Sequence, residues 1–188
     1  MIKMSSLQNY YVGRAAAVLG GGPSLPGDLA KLPPNCLLIA VNHHAFYHCQ
    51  PDYMVYNDRP EDGPELAAAI YAAQAIRVSP DPTSDVIFDV NVWTGFYSSN
   101  TAAWFALWMG CDPVILCGMD LYQGEVLYCH PFNGPDVPCF HYSVDMHLRP
   151  WVEDARNLCP HPERIRAMSG PLVNVFGKYD EKIPAEMA

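Results

Sequence analysis

The sequence predicts an α/β fold of the Rossmann-like type: a mostly parallel sheet with helices on both faces and a short lid-like loop. Short, continuously apolar segments such as Leu37–Val41 and Val114–Cys117 are typical of parallel strands that are buried on both faces. Segments of helical composition separate them, as a parallel sheet requires. Glycines and polar residues directly follow the apolar segments. Because such sheets bind ligands at the carboxyl ends of their strands, we expect a ligand site at that edge.

The composition predicts a compact globular chain. Its 188 residues fit one domain, which we expect to span residues 1–188. Hydrophobic residues make up 50% of the chain and charged residues 16%, unlike a disordered protein. The net charge is −9 and no basic stripe is visible, which excludes a general nucleic-acid binder. Association of the chain with itself, as a homo-oligomer, stays open.

The cysteines and the N-terminus indicate the compartment. The seven cysteines are odd in number and form no CxxC pair, which favours reduced thiols in the cytoplasm. The N-terminus lacks a signal-peptide pattern, and its first apolar segment, Ala15–Leu19, is too short to span a membrane. We therefore expect a cytoplasmic protein without stable membrane insertion.

The first half of the chain divides into short elements. A polar, mobile tail is expected through Gln8, and the Ala-rich stretch Gly63–Gln74 suits a helix. Between Ile76 and Trp93 only Val86–Phe88 suggests a strand. The remaining predicted elements are a strand at Arg14–Leu19, a short helix near Gly27–Lys31, and strands at Leu37–Val41 and Tyr53–Tyr56.

The second half repeats the alternation around one long loop. Gly124–Tyr142, rich in Gly, Pro and aromatic residues, is expected to be a loop. Loops of this length in compact domains are usually functional, so we interpret residues 123–147 as a lid-like insertion. The other predicted elements are helices at Asn100–Met109 and Trp151–Leu158 and strands at Val114–Cys117, Ile165–Met168 and Leu172–Phe176.

A glycine-rich loop, Gly20-Gly21-Gly22-Pro23-Ser24-Leu25, follows the first long strand. Its glycines allow close backbone approach, and Pro23 suits the first turn of a helix. Ser24 can offer a hydroxyl, and backbone N–H groups at a helix start can hold phosphate. The loop matches neither the dinucleotide fingerprint nor the P-loop, so a plain strand-to-helix turn is the alternative.

Polar side chains also end the neighbouring strands. Asn42, Asn57 and Asp58 follow two strands, and Asp120 follows a third. Amide and carboxylate groups suit the base edge and ribose of a nucleotide, and a carboxylate can also hold a cation. Asx turns or helix caps are the alternative for the asparagines.

Two tyrosines and a histidine are the candidate catalytic side chains. Tyr122 and Tyr128 can hydrogen-bond a leaving phosphate, or they can pack a lid. His147, with His141 as the next candidate, can act as general base toward a sugar hydroxyl.

No metal site is predicted. His43, His44 and His48 are interpreted as a helix surface beside the site. Zinc would have to combine Cys129 or Cys139 with His130, His141 or His147, and these show no standard ligand spacing.

The ordered motifs resemble the bacterial lipooligosaccharide sialyltransferases over residues 15–58 and 97–176. The resemblance rests on Gly20–Leu25, Asn42, Asn57, Ser98-Ser99-Asn100, Met109–Gln123 and Tyr128. It implies a metal-independent glycosyltransferase that uses a cytidine monophosphate sugar and no other cofactor. It further implies that the glycine loop, Asn42, Asn57 and Ser99 bind the nucleotide, that Tyr122 and Tyr128 assist the phosphate, and that His147 is the base.

The same motifs resemble a wider superfamily, the 6-hydroxymethylpterin diphosphokinases and motility-accessory glycosyltransferases. Gln50–Asp58 fits that group as well. This resemblance implies the alternative of a magnesium-dependent enzyme that binds ATP or GTP through Asp58 or Asp120. Sialyltransferases usually carry Asn where Gly21 stands, and their lid is longer. A non-catalytic nucleotide-binding relative is therefore a third hypothesis.

Overall fold

The structure, a computed structural model, describes residues 2–58, 64–91, 97–131 and 144–180. These residues form one sheet of eight strands in the order β1-β6-β5-β4-β3-β2-β7-β8, and every neighbouring pair is parallel. The predicted α/β, Rossmann-like fold is thereby confirmed. The strands are β1 (Ile2–Lys3), β2 (Ala16–Leu19), β3 (Leu37–Val41), β4 (Tyr53–Val55), β5 (Ile76–Val78), β6 (Val86–Ile87), β7 (Val114–Cys117) and β8 (Ile165–Ala167).

Alternating side chains of the central strands pack into separate cores on the two faces of the sheet. In β2, Ala16 and Val18 belong to one core, whereas Ala17 and Leu19 belong to the other. The whole of β2 is buried, because a parallel strand with both faces covered has no solvent side. This double burial explains why the strands are uniformly apolar in sequence.

Helices cover both faces. The helices are α1 (Leu25–Leu29), α2 (Pro64–Ala72), α3 (Ser98–Trp108), α4 (Val144–Leu158) and α5 (Val173–Phe176). The long helix α3 packs on β2, β3, β4 and β7, and its segment from Ser99 to Leu107 is buried. On the opposite face, Leu25 of α1 packs with Leu19 and Ile115. None of the helices within the described ranges is both long and apolar enough to cross a bilayer.

Three predicted elements were wrong in place or kind, and one strand was not predicted. The N-terminal segment, expected to be a mobile tail, forms β1 and a 3-10 helix at Met4–Leu7, with Met4 and Leu7 buried. The unassigned stretch Ile76–Val78 is the strand β5. Val173–Phe176, expected as a strand, is the short helix α5. Helix α4 begins at Val144 and contains Pro150, whereas the helix was predicted to begin at Trp151.

The chain order of the strands places a crevice at the middle of the sheet. From β2 the chain proceeds outward through β3, β4, β5 and β6, and then returns to place β7 on the other side of β2. The direction of winding therefore reverses at β2. Loops at the carboxyl ends diverge at such a reversal and leave a crevice between them.

Candidate nucleotide-binding site

A cavity of about 410 Å³ lies at the carboxyl ends of β2, β3, β4 and β7. Its volume is within the usual range for small-molecule pockets, about 300–1,000 Å³. It brings together most residues that the sequence singled out as a site: Gly20, Gly21, Gly22, Asn42, Asn57, Asp58, Ser99, Asp120, Tyr122 and Tyr128. Pro23, Ser24 and His147 lie outside its lining. His141 and Cys139 lie outside the described residues.

The three glycines are required by close contacts within the protein. A Cβ at Gly20 would overlap the Gly118 carbonyl oxygen, and one at Gly22 would overlap the Asp120 carboxylate. A Cβ at Gly21 would lie 2.7 Å from the His44 ring. The loop therefore packs directly against the turn that follows β7.

The backbone N–H groups of this loop are largely used internally. Gly20 N–H donates to the Cys117 carbonyl at 2.8 Å, and Gly22 N–H donates to the Gly118 carbonyl at 2.9 Å. Among the described residues, nothing accepts a hydrogen bond from the Gly21 N–H. The loop thus presents one backbone donor to a ligand, fewer than a phosphate-cradling loop normally provides.

Ser24 and Asp28 connect this loop to the far side of the crevice. Ser24 donates its N–H and its hydroxyl to Asp120, and the hydroxyl also lies 3.2 Å from Asp28. Asp28 is only 2% exposed, and its Oδ2 also accepts from Gly118 N–H at 3.0 Å and from the Ser169 hydroxyl at 2.6 Å. Sequence reasoning missed Asp28, because a lone acidic residue in a short helix gives no signal of burial.

Asn42 stands at the end of β3 with a left-handed backbone, φ +54°. Asparagine tolerates this conformation better than most residues. Its side-chain Oδ1 is buried and has no hydrogen-bond partner among the described residues. A buried acceptor is normally hydrogen-bonded, so this amide is placed for a donor that a ligand would supply.

The end of β4 meets the start of α3. Asn57 N–H donates to the Ser98 hydroxyl, and Asn57 Nδ2 donates to the Thr101 hydroxyl, both at 3.1 Å. Asp58, next in the chain, is exposed and also lines the cavity. The sequence analysis gave Ser99 a binding role and gave none to its neighbour Ser98, which lines the cavity as well. The Ser99 hydroxyl accepts a hydrogen bond from Trp151 Nε1 at 2.8 Å, so it also anchors α4.

The turn after β7 holds one wall of the cavity in a strained conformation. Leu121 and Tyr122 have φ values of +52° and +58°. A left-handed conformation at such residues costs about 1–3 kcal/mol each and is retained mainly at functional sites. The turn orients the Tyr122 ring edge-on to Tyr128, with centroids 6.2 Å apart.

His147 lies behind the tyrosine wall. It belongs to α4 instead of the predicted loop, and it is 1% exposed. Its Nδ1 is 2.8 Å from the Tyr97 hydroxyl, and its ring centroid is 5.2 Å from that of Tyr122. Tyr97 lines the cavity, and sequence reasoning assigned it no role in the site. Tyr97 and Tyr122 therefore connect His147 to the cavity.

The charged side chains in the described lining of the cavity are carboxylates. Asp58 and Asp120 line it, while no Lys or Arg occurs in its lining as far as the chain is described. His44 also lines it and stacks on Tyr128. Burial, reinforced by His43 and His130, lowers the pKa of His44 to about 3, so this imidazole is neutral at ordinary pH.

Comparisons with known proteins support the fold. No family model matches the chain, and no curated protein matches its sequence. The chain is similar to a solved structure of the sialyltransferase CstII from Campylobacter jejuni, in complex with a substrate analogue, cytidine-5'-monophosphate. That similarity has a TM-score of 0.60 at 13% identity and covers 89% of this chain and 86% of the other. A glycosyltransferase, MAf from Magnetospirillum magneticum AMB-1, matches with a TM-score of 0.44 at 17% identity, over 68% of this chain and 26% of the other.

Proposed function

We propose that the protein is a sialyltransferase-like glycosyltransferase that binds a cytidine monophosphate sugar in the central cavity. The observation that carries this proposal is the meeting of four strand-terminal segments around one cavity, at the winding reversal of the sheet. The fold likeness to CstII, a sialyltransferase solved with cytidine monophosphate, supports the choice of nucleotide.

The binding roles follow from the donors and acceptors of the cavity. Asn42 offers its buried Oδ1 to a donor such as the amino group of cytosine. Asp120 and Asp58 are acceptors for ribose hydroxyls. The Gly21 N–H is a donor for the phosphate. Ser98 and Ser99 at the start of α3 add the favourable end of a helix dipole for the same anion.

The reaction would transfer the sugar to an acceptor hydroxyl. The bond between the anomeric carbon and the phosphate oxygen breaks, and the acceptor oxygen forms the new bond to that carbon. Tyr122 and Tyr128 donate hydrogen bonds to the departing phosphate, which gains negative charge in the transition state. The acceptor proton passes to His147 through the Tyr97 hydroxyl, which is 2.8 Å from His147 Nδ1. No metal is needed for this step.

Calorimetry with cytidine monophosphate tests the proposal directly. We expect cytidine monophosphate to bind with a dissociation constant below 1 mM, which is a binding free energy of about −4 kcal/mol or better. Uridine and adenosine monophosphates should bind more weakly. Release of cytidine monophosphate from its sialic acid conjugate, in the presence of sugar acceptors, tests turnover. Absence of binding at millimolar ligand overturns the proposal. If cytidine monophosphate binds but is not released from its sialic acid conjugate with any acceptor, the hypothesis of a non-catalytic relative is favoured.

One observation favours a second candidate, a diphosphokinase-like enzyme. Two carboxylates without a Lys or Arg in the described lining suit a nucleotide that arrives with Mg²⁺. Under this alternative, ATP or GTP binds only with Mg²⁺, through Asp58 or Asp120. Nucleotide affinity measured in the presence of a chelator, and again after Mg²⁺ is supplied, distinguishes the two candidates. Only the second candidate predicts that Mg²⁺ restores the affinity.

A further inference from the structure

A cluster of three imidazoles lies beside the nucleotide cavity and is not used by the proposed reaction. Each of His43, His44 and His130 offers one ring nitrogen, and these three nitrogens lie within 4.8 Å of one another. His44 lines the central cavity. His43 lines a second cavity of about 530 Å³ between the 3-10 helix at His44–Tyr47 and the alanines of α2. The cluster therefore lies between the two cavities, with His44 lining one and His43 lining the other.

We propose that His43, His44 and His130 bind a divalent transition-metal ion of the zinc class. Three neutral imidazoles are a standard ligand set for zinc and leave a fourth position for water. A tetrahedral ion with Zn–N distances of about 2.0–2.1 Å places its nitrogens about 3.3 Å apart, so these rings need shifts of about 1 Å.

The hydrogen bonds of His130 prepare it as a ligand. Its Nδ1 lies 2.8 Å from the Pro131 carbonyl oxygen, which can only accept, so Nδ1 carries the proton. In the neutral ring, Nε2 then carries the lone pair. In the ion-free cluster this lone pair accepts a hydrogen bond from His44 Nδ1–H at 2.8 Å, which a bound ion would replace. Metal-bound histidines typically donate their other ring N–H to a carbonyl in this way.

Packing around the cluster holds the rings without an ion. Tyr47 stacks on His130 with centroids 3.9 Å apart, and Tyr128 stacks on His44 at 4.7 Å. His43 and His130 are each 8% exposed. Cys129 N–H donates to the Gly21 carbonyl at 2.8 Å, which fixes the segment that carries His130. A bound ion would link the segment after β3, which carries His43 and His44, to the segment that carries His130. Both segments contribute to the wall of the central cavity.

The experiment uses the untagged full chain, stripped of metal and then freed of chelator. We expect one equivalent of Co²⁺ to produce the visible bands of a low-coordinate site, and Zn²⁺ to displace it. His130→Gln and His43→Gln should each weaken Zn²⁺ binding at least tenfold, about 1.4 kcal/mol. Circular dichroism checks that the variants are folded.

Two control variants separate this site from other ligands. His48→Gln changes an exposed histidine outside the cluster, whose Nε2 hydrogen-bonds the Cys129 carbonyl oxygen. This variant should bind Zn²⁺ as tightly as the unchanged protein does. The double variant C49S/C129S removes the partly exposed thiols of Cys49 and Cys129 and should also retain the ion. Failure of the unchanged protein to bind Co²⁺ or Zn²⁺ stoichiometrically overturns the proposal. The proposal is also overturned if C49S/C129S loses Zn²⁺ binding while His130→Gln retains it. This readout needs no nucleotide, so it stands or falls separately from the glycosyltransferase proposal.

Discussion

Ser24 donates two hydrogen bonds to one oxygen of Asp120, from its backbone N–H at 3.1 Å and from its hydroxyl at 2.8 Å. The pair joins the loops after β2 and β7, which diverge from the middle of the sheet. It holds the Asp120 carboxylate so close to Gly22 that a Cβ at Gly22 would overlap it. Position 22 therefore controls where the Asp120 carboxylate can lie.

Gly22→Ala is expected to weaken cytidine monophosphate binding at least tenfold, about 1.4 kcal/mol, because Asp120 must leave its place. Gly27→Ala is the matched control, since nothing lies within 4 Å of a Cβ at this exposed position of α1. The control should bind normally and raise the free energy of unfolding by about 0.5–1 kcal/mol. Calorimetry and urea unfolding measure both. Equal affinity in the two variants would contradict the assigned role of this loop.

Asn42→Gly removes the side-chain amide while keeping a residue that accepts φ +54° without strain. We expect cytidine monophosphate affinity to fall about tenfold, since a ligand donor loses its acceptor, with the preference over uridine monophosphate reduced. Asn35→Gly, at an exposed position with φ +62°, is the control for the backbone effect. Unchanged affinity and base preference in Asn42→Gly would count against a contact between Asn42 and the base.

Tyr122→Phe is expected to lower kcat about 100-fold with little change in nucleotide affinity, because the lost hydrogen bond strengthens only as the phosphate departs. Tyr10→Phe, on an exposed surface tyrosine, is the control. Release of cytidine monophosphate from its sugar conjugate measures kcat. A variant that binds and turns over normally would remove Tyr122 from the mechanism.

Asp28→Ala is expected to lower the free energy of unfolding by about 3 kcal/mol, because it leaves the buried Gly118 N–H without an acceptor. The hydroxyls of Ser24 and Ser169 lose the same partner. Urea denaturation measures the change, and Glu125→Ala, at an exposed loop position, should change stability by less than about 0.5 kcal/mol. A loss no larger than that of the control would show that these bonds do not stabilise the crevice.

The ion pair between Arg77 and Asp85 predicts a specific acid sensitivity. Hydrogen bonds from Arg77 hold the pKa of Asp85 at about 2, below its ordinary value of 3.8. A carboxyl whose pKa is lowered by folding stabilises the fold above its unfolded pKa, and that contribution disappears as the pH falls through about 2. Asp85→Asn should therefore cost about 1 kcal/mol near neutral pH, a modest value because the pair is partly exposed. Urea unfolding at several pH values should show this difference shrinking in acid. A constant difference would contradict the assignment.

The sequence by itself determined the central part of the fold. The strands β2, β3, β4 and β7 are buried within the sheet, so each is a continuous apolar segment. The glycines or polar residues within a few positions after each strand mark its carboxyl end. Parallel pairing then brings those ends to one edge of the sheet. That local logic was enough to predict that Asn42, Asn57 and Asp120 share a cavity with the glycine loop.

Only the tertiary structure decided what lacks a local pattern. Strands of two or three residues, such as β1 and β5, are too short to show periodicity, so pairing with neighbours defines them. Pro150 lies within α4, where the contacts of Trp151 with α3 offset its effect on the helix. The contacts of His130 with His44 and of Asp120 with Ser24 join residues that are 86 and 96 positions apart. Such contacts depend on how the strands are ordered in the sheet, which neighbouring residues along the chain do not encode.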